Sequence, residues 1–509
     1  MLSTFFLFIV SFLFGSVIVR KLQVNVENTP VSSFISVLIG IVGVTLTLFF
    51  LGFFLPFNKV TILGVLVFMS FISWWWGKGN MKQIFSAPFK LLFGVRKLTL
   101  REKLGATFFI LLIIWLFGRS LFYGEGGQLV AGDRLVWTDW PVHMGLAANF
   151  AWGGNFPPQN PTFAPIPLIY PFFADFLSGV FLALGVSLPI AFVIPGVVLT
   201  LIFFGLYLAL ENNLLKPPRL FMGFGALFLS LFWGGMGCVF WLQEAFVDEV
   251  TLVQTLFSPP REYTFWAEKG MWFFTFLYSE ILPQRAFLFG LPLFFAVLWL
   301  VFVGWRERKL RLFILAGILA GLMPFFHTHS YLSLVILTLT IGVIGVMGLI
   351  RGDKRYKKKY LEAIFLFFLP FGVLSIVQLP LFLSQSNGFP FHFGWMKGSE
   401  NFFLFWFKNT GFFLPLMLLG LWKGKFTPFA RVLGFASLSL FIVPNLFQFA
   451  NWGYDNLKIF TYWYLLGSVF VMSGLAWISQ IRQIKPFGQI CAGLLFISLT
   501  LSGIIEAGR

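Results

Sequence analysis

The sequence is short of the groups on which most soluble proteins depend. Only 11% of its 509 residues are charged, four are His and two are Cys, whereas a soluble domain carries roughly 25% charged residues. Cys238 and Cys491 are far apart and match no metal or redox spacing, so both read as apolar filler. No G-x-x-x-x-G-K-[ST], G-x-S-x-G or H-E-x-x-H segment occurs, which argues against a nucleotide-driven pump, an α/β-hydrolase and a zincin. Acids are few, 19 against 36 Lys and Arg, for a net charge of +17. That excess would suit nucleic acid, but the basic loops are short and carry no nucleic-acid-binding motif. In a chain of mean hydropathy +0.88 it reads instead as the Lys/Arg enrichment of cytoplasmic loops. The composition is that of an integral membrane protein, and its 73 Phe suit lipid-facing helices.

What is abundant is the long apolar run. A spanning helix needs about 20 such residues. Runs appear near 2–19, 34–56, 60–77, 104–121, 189–210, 219–240, 286–304, 312–326, 330–350, 361–382, 402–421, 430–446, 459–478 and 488–505, with a shorter piece at 171–186. The expectation is an all-α polytopic protein of about 13–15 spans. The first run lacks a basic segment before it and is followed by Arg20 and Lys21, so it reads as a spanning helix with an outer N-terminus, not a signal peptide. Basic clusters at 20–21, 78–103, 216–219, 306–311, 351–359, 423–431 and 482–485 hold most of the Lys and Arg and define the cytoplasmic face. One parity conflict remains: either 171–186 lies along the membrane surface, or Lys216 and Arg219 are outside. The opposite face receives the loops at 122–170, 241–285, 327–329, 383–401 and 447–458. They hold most of the acids and all four histidines, at 143, 327, 329 and 392. This segregation places the chemistry outside the cytoplasm. No large soluble domain and no internal repeat is visible.

The polar residues of that face are few enough to name. TDWPVHMGLAANFAWGGNFPPQNP, 138–161, sets Asp139 and His143 four apart, on one face of a short surface helix if the segment is helical. Thr138 or Asp139 would be its N-cap and Pro141 would sit in its first turn, so Asp139 reads equally as a cap. Asp175 lies inside an apolar segment and is costly there unless it faces protein or water. Gln284 and Arg285 stand at the outer mouth of a span, where Arg either forks onto a phosphate or snorkels. His327 and His329 occupy a tight turn between spans, suited to a metal or, when protonated, a phosphate. Asp455, Asn456 and Lys458 precede a late span. A cation near a helix N-terminus is disfavoured by the dipole, which points to an anionic partner.

Taken in order, Asp139, His143, the Gly154-x-x-Pro157-Pro158-x-x-Pro161 loop, Tyr170-Pro171 and Gly185 resemble the membrane glycosyltransferases of the GT-C fold. The Pro283-Gln284-Arg285 mouth, the His-bearing turn and Asp455-Asn456-x-Lys458 fit the same pattern. The resemblance covers roughly 105–480. It implies a catalytic module at 104–480, preceded by three extra spans and a basic loop (1–103) and followed by a last span (481–509). It also implies transfer of a sugar from a polyprenyl-phosphate carrier to an acceptor lipid, glycan or protein on the extracytoplasmic face of the cytoplasmic membrane. Asp139 is then the general base or metal-site acid, with His143 beside it and Asp133 as the second choice. Arg285, Gln284, Lys458, His327 and His329 would hold the donor phosphate, and Tyr170, Asn456 and Asp455 would meet substrate. The resemblance implies no cofactor with certainty beyond the option of a divalent metal. If a divalent metal is used, Asp139, His143, His327 and His329 are its candidate ligands. The competing readings are a flippase or transporter of lipid-linked glycans and an O-antigen-type polymerase or ligase. The family's large outer loop usually follows the first span, whereas three spans precede it here.

Overall fold

A computed structural model describes residues 2–24, 29–86, 96–163, 165–247, 252–273, 275–350, 354–383, 388–481, 483 and 485–507. Asp248 and Glu249, and parts of the basic clusters at 78–103, 351–359 and 482–485, lie outside the described residues. The described chain is mostly helical, with only two short hairpins, 121–131 and 265–272. Its main helices are α1 (Leu2–Lys21), α2 (Thr29–Leu51), α3 (Lys59–Gly77), α4 (Leu100–Ser120), α5 (Arg134–Gly153), α6 (Phe173–Ala183) and α7 (Leu188–Leu214). They continue with α8 (Leu220–Leu231), α9 (Gly237–Val247), α10 (Phe287–Glu307), α11 (Leu310–Phe326), α12 (Thr328–Ile350) and α13 (Lys354–Leu383). The last are α14 (Phe402–Thr410), α15 (Phe413–Lys423), α16 (Pro428–Ser437), α17 (Ser439–Leu446), α18 (Gly453–Ile478) and α19 (Lys485–Ala507).

Ten helices among the described residues are long and apolar enough to cross a membrane, or eleven if the bent pair α14–α15 is one span. This is fewer than the 13–15 expected from apolar runs, chiefly because apolar length in sequence is not helix length; α4, although 21 residues long, is also not among the ten. At 1.5 Å per residue, α6, α8 and α11, with 11, 12 and 17 residues, fall short of a roughly 30 Å hydrocarbon core. The run at 402–421 is broken at Gly411, whose φ of 55° and ψ of −133° suit only glycine, and the two halves meet at 80°.

The chain forms two compact units that interleave along the sequence. One comprises residues 1–210, 282–331 and 353–384, the other 211–281, 332–352 and 385–509. In the first unit, α10 is the central helix: 94% of its most apolar stretch is buried, against 44% for α1 and 22% for α13. It packs on α11, α2 and α6, α11 packs on α13, and α1 packs on α2 and α3. The α1–α2 contact is close because glycines face the partner backbone: a Cβ on Gly15 would lie 1.8 Å from the Ser36 carbonyl oxygen, and one on Gly40 1.7 Å from that of Ser11. In the second unit α18 is central, 89% buried by the same measure, and is surrounded by α8, α15, α16, α17 and α19.

The helix that carries Asp139 and His143 begins earlier than the sequence suggests. Asp133, in extended conformation, is the N-cap of α5, and its carboxylate accepts from the backbone N–H of Leu135 at 2.8 Å and of Val136 at 3.3 Å. Thr138 and Asp139 are therefore in the helix body. Pro141 lies inside the helix, where it leaves the carbonyl four residues back without its usual donor. The Pro-rich loop that follows is fastened by aromatic packing: Phe156 and Phe172 pack against Phe49 of α2 and Phe150 of α5. Asn155 and Gln159 close it with two hydrogen bonds of 2.9 Å each.

Candidate functional site

In the first unit the polar residues converge on Asp175, in the first turn of α6. Its Oδ2 lies 2.8 Å from His143 Nδ1 of α5, and its Oδ1 accepts from Arg285 Nε at 3.1 Å. Asp175 and Arg285 are fully buried and His143 nearly so, at 4% exposure. A buried pair of this kind persists only if its remaining donors find partners, and three further acceptors meet the Arg285 guanidinium. One terminal nitrogen donates to Ser178 Oγ at 2.5 Å and to the Ala174 carbonyl at 3.4 Å, the other to the Phe192 carbonyl at 3.3 Å. The guanidinium also lies 4.1 Å from the Phe192 ring centroid, a cation–π contact. Burial lowers the Arg285 pKa from its ordinary value and Asp175 opposes the shift; the side chain stays protonated all the same. Paired with Arg285, Asp175 accepts from His143 Nδ1. No further hydrogen bond to His143 occurs among the described residues.

Asp139 lies one turn before His143 and is partly exposed. Its Oδ2 accepts from Gln284 Nε2 at 2.7 Å, and Thr138 Oγ1 lies 3.3 Å from Oδ1. Gln284 and Arg285 thus reach α5 and α6 from one dipeptide: one holds the exposed acid, the other balances the buried acid. Trp140 Nε1 donates to the Leu282 carbonyl at 3.2 Å, fastening α5 to the same segment. The Tyr170 ring, 38% exposed, lies 5.8 Å from that of His143.

Several expectations change. Asp139 is not a cap, since Asp133 fills that role. Asp133 is correspondingly occupied by two backbone N–H groups. Arg285, expected as a phosphate ligand at an open mouth, is fully buried with its donors committed to Asp175, Ser178 and two carbonyls, so it is an internal counter-ion. His327 is the single residue between α11 and α12. It is 3% exposed, its Nδ1 lies 2.5 Å from Ser330 Oγ, and its ring sits 4.2 Å from that of Phe287 and 5.5 Å from that of His329. Of the candidate metal ligands Asp139, His143, His327 and His329, His143 turns to Asp175, and no group of three or more His, Cys, Asp or Glu able to hold a metal occurs among the described residues.

The second unit holds the remaining candidates. Lys458 is the sixth residue of α18, not part of its exposed start, and its Nζ pairs with Asp455 Oδ1 at 2.7 Å. The anionic partner expected for it is therefore intramolecular. Asn456 is a scaffold residue: Oδ1 accepts from the N–H of Phe449 at 2.6 Å and of Ala450 at 3.1 Å, and Nδ2 donates to the carbonyls of Ala450 and Trp452. The sequence reading missed Ser178 and Glu280. The signal for Asp175 was present, an acid in an apolar segment, but its partners were visible only in three dimensions. No protein-family model, curated protein or solved structure matches the chain.

Proposed function

We propose that this chain is a membrane glycosyltransferase of the GT-C type. It moves a sugar from a polyprenyl-phosphate carrier to an acceptor outside the cytoplasm, with Asp139 as the base. The observation that carries this reading is the state of Asp139: a partly exposed carboxylate fixed by Gln284 at 2.7 Å and backed by the buried His143–Asp175–Arg285 network. A general base needs this combination of access and fixed geometry. In the reaction the acceptor hydroxyl loses its proton to Asp139 as its oxygen bonds to the anomeric carbon. The bond from that carbon to the phosphate oxygen breaks, polyprenyl phosphate leaves with the electron pair, and the anomeric centre inverts. Tyr170, exposed beside His143, is placed to meet substrate, and no step calls on a metal.

The short α6 supports the extracytoplasmic placement. At 11 residues it is short for a span, and α7 is the one helix between the 122–170 loop and Lys216 that is long and apolar enough to cross. A single crossing there favours Lys216 and Arg219 inside. The test is transfer from polyprenyl-phosphate sugars in proteoliposomes. Asp139→Asn is expected to lower the rate by roughly 10²–10⁴, the usual worth of a general base, with the protein still folded. A wild-type rate in Asp139→Asn sinks the assignment.

One observation favours transport of lipid-linked glycans as a second reading. Glu211 of α7 is fully buried, and neither of its carboxyl oxygens has a hydrogen-bond partner among the described residues. Unpaired acids within spans commonly mark ion or substrate pathways. Carrier translocation without sugar transfer, lost in Glu211→Gln, would favour this reading over the first.

A further inference from the structure

The second unit contains a buried acid that the glycosyltransferase reading does not use. Glu280 lies in a π-helical turn, Leu277–Ile281, a local geometry often found at functional positions. It is 6% exposed. Its Oε1 accepts from Thr461 Oγ1 of α18 at 2.8 Å, while Oε2 is buried with no hydrogen-bond partner among the described residues. The turn is clamped by Tyr454, whose hydroxyl donates to the Ser279 carbonyl at 2.5 Å. Lys458, one turn before Thr461, is the charge that acts on Glu280, but its direct ion pair is with Asp455. The charge that acts on the acid is thus an ammonium already paired with another carboxylate. A carboxylate so dry, with one oxygen unpartnered, is expensive.

We propose that Glu280 is an internal proton-binding site of the second unit: Oε2 takes a proton from water and returns it to water, leaving a carboxylate that accepts from Thr461 and is favoured by the Lys458 charge. Each exchange adds or removes one negative charge beside Lys458 and Asp455. Loading the site therefore changes the charge balance at the start of α18 without any ligand larger than a proton. Burial pushes the Glu280 pKa up to about 7, with the Thr461 hydroxyl and the Lys458 charge pulling back, so the exchange falls in the neutral range.

The experiment is infrared difference spectroscopy on the full chain in lipid nanodiscs, stepped in pH. The expected result is a protonated-carboxyl carbonyl band that disappears near pH 7 (about the value above) in the wild type and is absent in Glu280→Gln. Glutamine keeps the Thr461 hydrogen bond and carries no titrating proton, so this variant is expected to fold. Lys458→Met should retain the band to higher pH, because the charge favouring the carboxylate is gone. A band that persists unchanged in Glu280→Gln, or no carboxyl proton release near neutrality in a folded wild type, overturns the proposal. The readout needs no transferase activity, so it stands or falls separately from the assignment of Asp139.

Discussion

Asp139 and Asp133 lie on the same stretch of chain and do different work. Asp133 spends its carboxylate on two backbone N–H groups at the start of α5; Asp133→Ala is expected to cost about 0.5–2 kcal/mol, the worth of an N-cap, with sugar transfer per folded molecule kept. Asp139→Asn should show the reverse, loss of transfer with little loss of stability, and thermal unfolding beside the transfer assay separates the two. Asp175 is the most vulnerable of the buried groups. Asp175→Ala leaves the Arg285 guanidinium in a dry interior without its ion partner, a change of about 3–5 kcal/mol that should appear as a large drop in unfolding temperature. Glu280 adds a pH dependence whose sign follows from its raised pKa. An acid whose folded-state pKa lies above its unfolded value binds more protons when folded, so it lowers stability as pH rises from the ordinary carboxylate range to about 7, and the deficit is complete above that. Glu280→Gln removes the deficit, so its gain in unfolding temperature over wild type should grow from about pH 5 to about pH 8.

At the scale of elements, helix ends and close crossings decide the architecture. The Asp133 cap starts α5 a full turn earlier than an N-cap at Thr138 or Asp139 would, which puts the partly exposed Asp139 and the buried His143 in the body of an established helix instead of at a fraying end. The α1–α2 crossing needs bare backbone at Gly15 and Gly40. Gly40→Leu is expected to force the pair apart, at about 1–3 kcal/mol for overpacking, and unfolding in detergent measures it. His327 fills the whole junction between α11 and α12, and its bond to Ser330 gives the turn a fixed shape before any ligand is considered.

For the whole molecule, the distribution of charge against apolar length makes a topological prediction. With Cys238 and Cys491 the only thiols and α7 the one candidate span between the two positions, single cysteines placed at the 158–163 loop and at the 215–219 turn report opposite sides of a sealed membrane. A membrane-impermeant reagent added outside intact cells is expected to label the first and not the second. Labelling of both from one side would remove the basis for an outer active site.

By itself the sequence determined the class of protein, because apolar composition and the placement of Lys and Arg are properties of the chain that no packing alters. It also singled out Asp139 and His143, since a polar pair four residues apart in so apolar a context is conspicuous. It overcounted the spans, because an apolar run does not reveal where a helix caps, bends or stops, as Gly411 and the short α6 demonstrate. Only tertiary structure decided the roles. Arg285 looked like a ligand clamp until Asp175, 110 positions away in sequence, proved to be its partner. Lys458 looked like an anion trap until Asp455 was found beside it. A side chain's charge is written in the chain; whether that charge is spent inside the protein depends on distances that only folding sets.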